Sequence, residues 1–143
     1  MEYSTTKEET VADSSVFASI IVKDEFYDAC KRYVISGKAT VDLAYAEAAN
    51  VLWNHVKIGR ILVEEVAERA ELLRRLIGTS RVFRAEELLI DAVKLAVDCG
   101  VTVYDALFVA LAEKLKAKLV TTDRELFERL KDTKFEGLVE LIR

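Results

Sequence analysis

The 143-residue chain has no proline and no glutamine, one histidine, one tryptophan, two cysteines and five glycines. Each scarcity closes off a chemistry. Cys30 and Cys99 lie far apart, with no second Cys or His at ligand spacing, so a structural zinc site is excluded and both thiols are expected to be reduced and buried. His55 has no second imidazole to work with, which disfavours a histidine relay or a His-rich metal centre and leaves it as a helix-surface residue. No Pro-, Gly- or Ser-rich stretch marks a linker. At this length roughly two-thirds of the unfolded chain's surface can be buried, so one domain is expected over residues 10–143, preceded by a loose polar tail over residues 1–9. No uncharged run approaches the roughly 20 apolar residues of a membrane span. The first ten residues carry Glu2, Lys7, Glu8 and Glu9 and lack the apolar stretch of a secretory signal, so a cytoplasmic location without membrane contact is expected. The net charge of −4 leaves no basic tail or uniformly positive groove, and any polyanion binding must be local. Missing glutamine, only Asn50 and Asn54, and 32% charged residues together are the bias of thermophilic proteins, in which ion pairs are less costly to desolvate.

What the chain does have is alternation. Short β-type runs are expected at Thr10 to Ala12, Ala39 to Asp42, Arg81 to Arg84, Lys118 to Thr121 and Leu138 to Ile142. Between them the apolar spacing predicts helices over Val16 to Val22, Asp24 to Ile35, Leu43 to Lys57, Leu62 to Ile77, Glu86 to Cys99, Val103 to Lys116 and Arg124 to Leu130. Gly100 and Thr102 supply a stop and a start between two of them. This is the βα pattern of an α/β fold: a central parallel sheet of about five strands with helices on both faces. In such sheets the ligand site lies beyond the carboxyl ends of the strands, where the strand order reverses.

Four acids fall where that site would be. Asp13 follows the first strand and Asp123 the fourth, so both project from the carboxyl edge, although either can serve as a helix cap. Thr122 and Glu125 also stand at capping-box spacing. Glu47 lies in a helix rich in Ala, Val and Leu, and its polar residues Glu47, Asn50, Asn54 and Lys57 form one narrow stripe. Such a stripe either faces water or lines a cleft, and the apolar residues on the other faces, Trp53 included, favour the cleft. Asp105 opens the run Val103 to Ala112, apolar on all sides, where an unpaired carboxylate is disfavoured. It either reaches back to cap the helix start at Thr102 or joins other acids around a cation. Oxygen ligands without His or Cys suit Mg²⁺ or Mn²⁺.

The segments Val11–Ala–Asp13–Ser–Ser–Val–Phe17, Ala46–Glu47–Ala–Ala–Asn50–Val–Leu52, Val103–Tyr–Asp105–Ala–Leu–Phe and Leu119–Val–Thr–Thr–Asp123–Arg–Glu–Leu126 resemble the PIN domain, and within it the VapC-type toxins, small Mg²⁺-dependent endoribonucleases. The segments run in the family's order, and the resemblance covers roughly residues 10 to 142. It implies that Asp13, Glu47, Asp105 and Asp123 form a metal-binding acidic pocket supported by hydrogen bonds from Thr121 and Ser14 or Ser15, with Asn50 beside it. It also implies a structured RNA substrate such as tRNA or rRNA, a homodimer and a small antitoxin partner. The polar entry before Asp13 and the weakly apolar first strand depart from the family pattern.

Three function classes follow. In the first, the acids hold Mg²⁺ or Mn²⁺ and an activated water cleaves a phosphodiester, with Lys57, Arg60 and Arg124 as candidate RNA contacts. The second is a PIN-like scaffold or regulator of an RNA complex that has lost catalysis, which the retention of all four acids disfavours. The third, a phosphoryl-transfer receiver or haloacid-type phosphatase, fails because Ser15 stands where a phosphatase needs a second Asp, and a receiver's extra acid beside Asp13 and its later Lys are missing. A homodimer is also expected from the apolar residues of the second and fourth helices, among them Phe26, Tyr27, Tyr33, Leu62, Val63, Val66, Leu72, Leu73 and Leu76, which exceed what one sheet face can cover.

Overall fold

The structure is a computed structural model that describes residues 9–34 and 37–143. The expected tail therefore lies outside the described residues except for Glu9, whose carboxylate accepts from Arg81 Nη1 at 2.7 Å.

Five strands are present: β1 (Thr10–Ala12), β2 (Lys38–Val41), β3 (Arg81–Phe83), β4 (Lys118–Thr121) and β5 (Val139–Leu141). All pair in parallel in the order β3-β2-β1-β4-β5. Starting from β1, the chain winds outward through β2 to β3 and then crosses to β4 and β5. The order therefore reverses at the β1–β4 pair, where Val11 lies opposite Leu119. The inner strands β1, β2 and β4 are almost wholly buried, as expected for a sheet covered on both faces.

The helices are α1 (Ser14–Val22), α2 (Tyr27–Tyr33), α3 (Leu43–Lys57), α4 (Val66–Gly78), α5 (Ala85–Cys99), α6 (Val103–Leu115) and α7 (Arg124–Arg129). α1 packs on β1 and β4 and against α2, α3 and α4, while α6 packs on β1, β2 and β4 and against α5, giving two helical layers. The core between them is built on Phe17, Ile21, Ile77, Phe108, Leu111 and Leu119. α6 is buried along Ala106–Ala112, the apolar run that made Asp105 conspicuous. Gly100 ends α5 with φ +72, and its N–H bonds Ala96 O, the left-handed cap that glycine adopts without a steric cost.

Several boundaries differ from expectation for local reasons. α1 starts at Ser14, two residues early, because the Asp13 carboxylate takes the Ser15 N–H and caps the helix there. α2 is shorter than Asp24 to Ile35: the Asp24 carboxylate accepts from Phe26 N and Ser19 Oγ, which holds residues 24–26 in a turn, and Ile35 lies outside the described residues. The chain before α4 forms a 3-10 turn at Val63–Glu65. Among the described residues no single helix is long and apolar enough to cross a membrane.

Candidate active site

The carboxyl edge around the β1–β4 pair opens into a cavity of about 580 Å³ lined by Asp13, Ser14, Ser15, Ala46, Glu47, Asn50, Val51, Tyr104, Asp105, Phe108 and Asp123. Four elements bring the acids there. β1 delivers Asp13 and β4 delivers Asp123, each as the first capping residue of the next helix. Asp13 Oδ1 accepts from Ser15 N at 3.0 Å and Asp123 Oδ1 from Leu126 N at 3.2 Å. Capping and lining the cavity are thus compatible roles for one carboxylate. The start of α7 is set by Asp123 rather than by a Thr122–Glu125 box. Glu47 reaches in from α3 and Asp105 from the first turn of α6. There the Thr102 hydroxyl accepts from Asp105 N at 3.1 Å, so Thr102 caps the helix through the Asp105 backbone while the carboxylate lines the cavity.

Hydroxyls tie the acids together. Ser14 Oγ donates to Glu47 Oε1 at 2.6 Å, bridging α1 to α3. Ser15 Oγ donates to Asp13 Oδ1 at 2.5 Å, accepts from Thr122 N and lies 3.3 Å from Thr121 Oγ1, which itself accepts from Asp123 N. Thr121 is fully buried behind the cavity wall and positions both strand-end acids. Asn50 lines the cavity, whereas Asn54 does not. Lys57, Arg60 and Arg124 are exposed and lie outside the lining.

The electrostatics are those of buried carboxylates that also repel one another. Burial pushes Asp13 up from its ordinary 3.8 to about 6, with the charge of Asp105 adding to the rise and hydrogen bonds from Ser15 and Thr121 opposing it. Asp105 is likewise raised to about 6, first by burial and then by the charges of Asp123 and Glu47. The donor set consists of oxygens alone and fits a hard divalent ion. Among the described residues no three acids converge as a ready-made coordination set, so their side chains, which enter from different walls, must turn inward to share an ion.

The thiols and the lone imidazole take no part. Cys30 is buried, and that burial holds its thiol up at about 11; Cys99 is half-buried rather than buried as expected. His55 Nδ1 lies 3.0 Å from Val51 O within α3. Tyr104, on the cavity wall and 60% exposed, was not singled out in the sequence. The only signal for it is adjacency to Asp105. Trp53 is exposed, against the expectation that the apolar side of α3 packs on most sides. Amphipathic spacing alone does not say which apolar side chain is left outside the core.

The PIN domain family model matches residues 10–132. The chain is 40% identical over 121 residues to Ribonuclease VapC3 of Pyrobaculum aerophilum, spanning 83% of this chain and 92% of that protein. It is 32% identical over 93 residues to Exonuclease VapC9 of the same organism, over 65% of this chain and 67% of the relative. Among solved structures, PAE2754 from Pyrobaculum aerophilum superposes with a TM-score of 0.68 at 28% identity, covering 92% of this chain and 83% of that one. A chain of a toxin-antitoxin complex from Klebsiella pneumoniae superposes at 0.65 with 14% identity, covering 94% and 98%, a likeness of fold. The chain belongs to the PIN domain family, and within it to the VapC-type proteins.

Proposed function

We propose that the protein is a nuclease of the VapC type, a divalent-metal-dependent endoribonuclease that acts as the toxin of a toxin–antitoxin pair and cleaves a structured RNA such as tRNA or rRNA. The observation that carries the reading is the meeting of Asp13, Glu47, Asp105 and Asp123, from four different elements, in one cavity at the point where the strand order reverses. The nuclease names of the two curated relatives support the enzyme class.

Asp13, Glu47, Asp105 and Asp123 would hold Mg²⁺ or Mn²⁺, with Glu47 supplied by α3. When bound, such an ion supplies a Lewis acid and lowers the pKa of a water for in-line attack on a phosphodiester. The chain's own residues set the stage. Ser14 fixes Glu47, Ser15 and Thr121 fix Asp13 and the Asp123 backbone, and Thr102 fixes the Asp105 backbone. Four negative charges repel an RNA phosphate until a cation inverts the local field, so substrate approach and metal loading are linked. Lys57, Arg60 and Arg124 are positioned outside the cavity as candidate contacts to the RNA backbone.

The same repulsion explains how a small antitoxin would inhibit. An Arg placed among the acids bridges carboxylates bidentately and displaces the ion. The deciding experiment incubates the protein with total tRNA and rRNA while Mg²⁺ is titrated and then chelated. Discrete fragments that appear with Mg²⁺ and cease with chelator support the enzyme. RNA binding without cleavage at any metal concentration supports the catalytically inactive scaffold instead.

A further inference from the structure

On α3, Ala46, Glu47, Asn50 and Val51 line the acidic cavity, and at 100° per residue positions 46, 50, 53 and 57 fall within a strip roughly 60° wide along the Ala46–Asn50 edge of that face. Trp53 and Lys57 therefore flank one edge of the cavity rather than line it, and Trp53 lies about 4.5 Å beyond Asn50 along the helix axis at 1.5 Å per residue. The Trp53 side chain is 55% exposed, although the core beside it takes in Ala48 and Leu52 from the same helix. Lys57 Nζ sits 4.7 Å above the Trp53 ring centroid, and among the described residues neither Lys57 nor Arg60 makes an ion pair. A wide aromatic ring with an ammonium, free of ion pairs among the described residues, over one of its faces, at the edge of a cavity for phosphodiester chemistry, matches a single-stranded nucleotide in both its parts. The base stacks on the ring, and the attached phosphate meets the cation.

We propose that Trp53 is a stacking platform for an unpaired base flanking the cleavage position, with Lys57 holding the adjoining phosphate. The proposal rests on the ribonuclease reading and narrows its substrate to an unpaired segment, because a duplex keeps its base faces stacked inward. Charge complementarity favours this occupant over an apolar partner. The chain is net negative and the cavity acidic, so a polyanion needs a local cationic approach, and Lys57 and Arg60 supply one at this end of α3. Tyr104 offers a second exposed ring on the α6 wall of the same cavity. Ile58, Leu62 and Val63, also exposed and close in sequence, are the features that a protein partner would use instead.

Trp53 is the only tryptophan in the chain, so its fluorescence reports this position alone. The full parent chain, with Ca²⁺ in place of Mg²⁺ so that the acids carry a hard divalent ion, is titrated with a ten-nucleotide oligoadenylate and, separately, with a ten-base-pair RNA duplex. The expected result is saturable quenching by the single strand and little by the duplex. Trp53→Ala in the same background should weaken single-strand binding about tenfold, measured by anisotropy of labelled oligoadenylate, while Trp53→Phe stays within about threefold. Lys57→Ala should reduce the slope of log K against log salt by about 0.7. Unchanged emission on saturation with single-stranded RNA, or equal affinity of the Ala and Phe variants and the parent, overturns the proposal. Emission that depends on protein dilution but not on RNA overturns it in favour of a subunit interface. The parent chain is assayed for cleavage in Mg²⁺ in parallel: cleavage without quenching removes this inference alone, and quenching without cleavage removes the catalytic reading while keeping the platform.

Discussion

At the scale of single residues, the cavity joins two demands in the same carboxylates. Asp13 and Asp123 cap helices and so contribute to stability, yet their clustering with Asp105 and Glu47 costs stability whenever no cation is present. Asp105 carries the cost without capping through its side chain. Asp105→Asn should therefore raise the melting temperature of the metal-free protein, abolish most of the Mg²⁺-induced stabilisation, and lower RNA cleavage by at least roughly 100-fold, the upper end of what loss of even an outer-shell partner costs a metal site. Melts of parent and variant with and without Mg²⁺ check this, and equal Mg²⁺ stabilisation of the two would show that Asp105 is not a ligand. The same charges set a pH dependence. Asp13 and Asp105 titrate near 6 when folded against an ordinary 3.8, so between those values the folded chain binds protons that the unfolded chain has released. Their contribution to stability is full below about pH 4 and is lost as pH rises through 6. In chelator, Asp13→Asn and Asp105→Asn together should flatten the fall in melting temperature between pH 5 and pH 7 that the parent shows.

At the scale of elements, the way each functional group is held shows what the sequence discloses. Thr102 and Asp105 stand three residues apart before an apolar run, a spacing legible as a helix start, and the structure forms the cap through the Asp105 N–H. Thr102→Ala should cost about 1 kcal/mol and lower Tm by roughly 3–4 °C, with Thr102→Ser close to the parent; urea melts decide. Strand positions and the span of α3 were legible for the same reason: β-type runs bounded by polar residues, and a 3.6-residue period with a clear stop at Gly59. The meeting of the four acids was legible through order along the chain, because parallel βα units deliver every strand end to one edge. Illegible were features that depend on tertiary company. Lys38 reads as a surface lysine at the start of β2, yet it is buried, donating to Val34 O and to Thr79 Oγ1 where the ends of α2 and α4 converge. The place of Asn50 in the cavity lining and the exposure of Trp53 one turn later are set by what packs on α3, which α3 alone does not encode.

At the scale of the whole molecule, apolar surface is distributed differently from expectation. The second and fourth helices hold much of theirs against the core: Leu73 is buried, and Phe26, Tyr27, Tyr33 and Leu76 pack partly against the core. Leu62, Val63 and Leu72 remain exposed there. The larger uncovered stripe runs along α5, where Leu89, Ile90, Val93 and Val97 follow one another at helical spacing, with Ile90 72% and Val97 78% exposed. A contiguous apolar stripe on a folded domain is uncommon unless a partner covers it, and a second copy satisfies it by self-complementarity about a two-fold axis. α5 packs against α6, which carries Asp105, so an interface on α5 would brace the acid-bearing wall without entering the cavity. We propose that the homodimer expected from the sequence rests on α5 rather than on the second and fourth helices. Light scattering at micromolar concentration should give twice the chain mass for the parent. Val97→Glu should give the monomer mass by placing two like charges across the axis, whereas Leu72→Glu on α4 should leave the dimer intact. Dissociation by Leu72→Glu alone would return the interface to α4, and a monomeric parent would remove the dimer from the reading altogether.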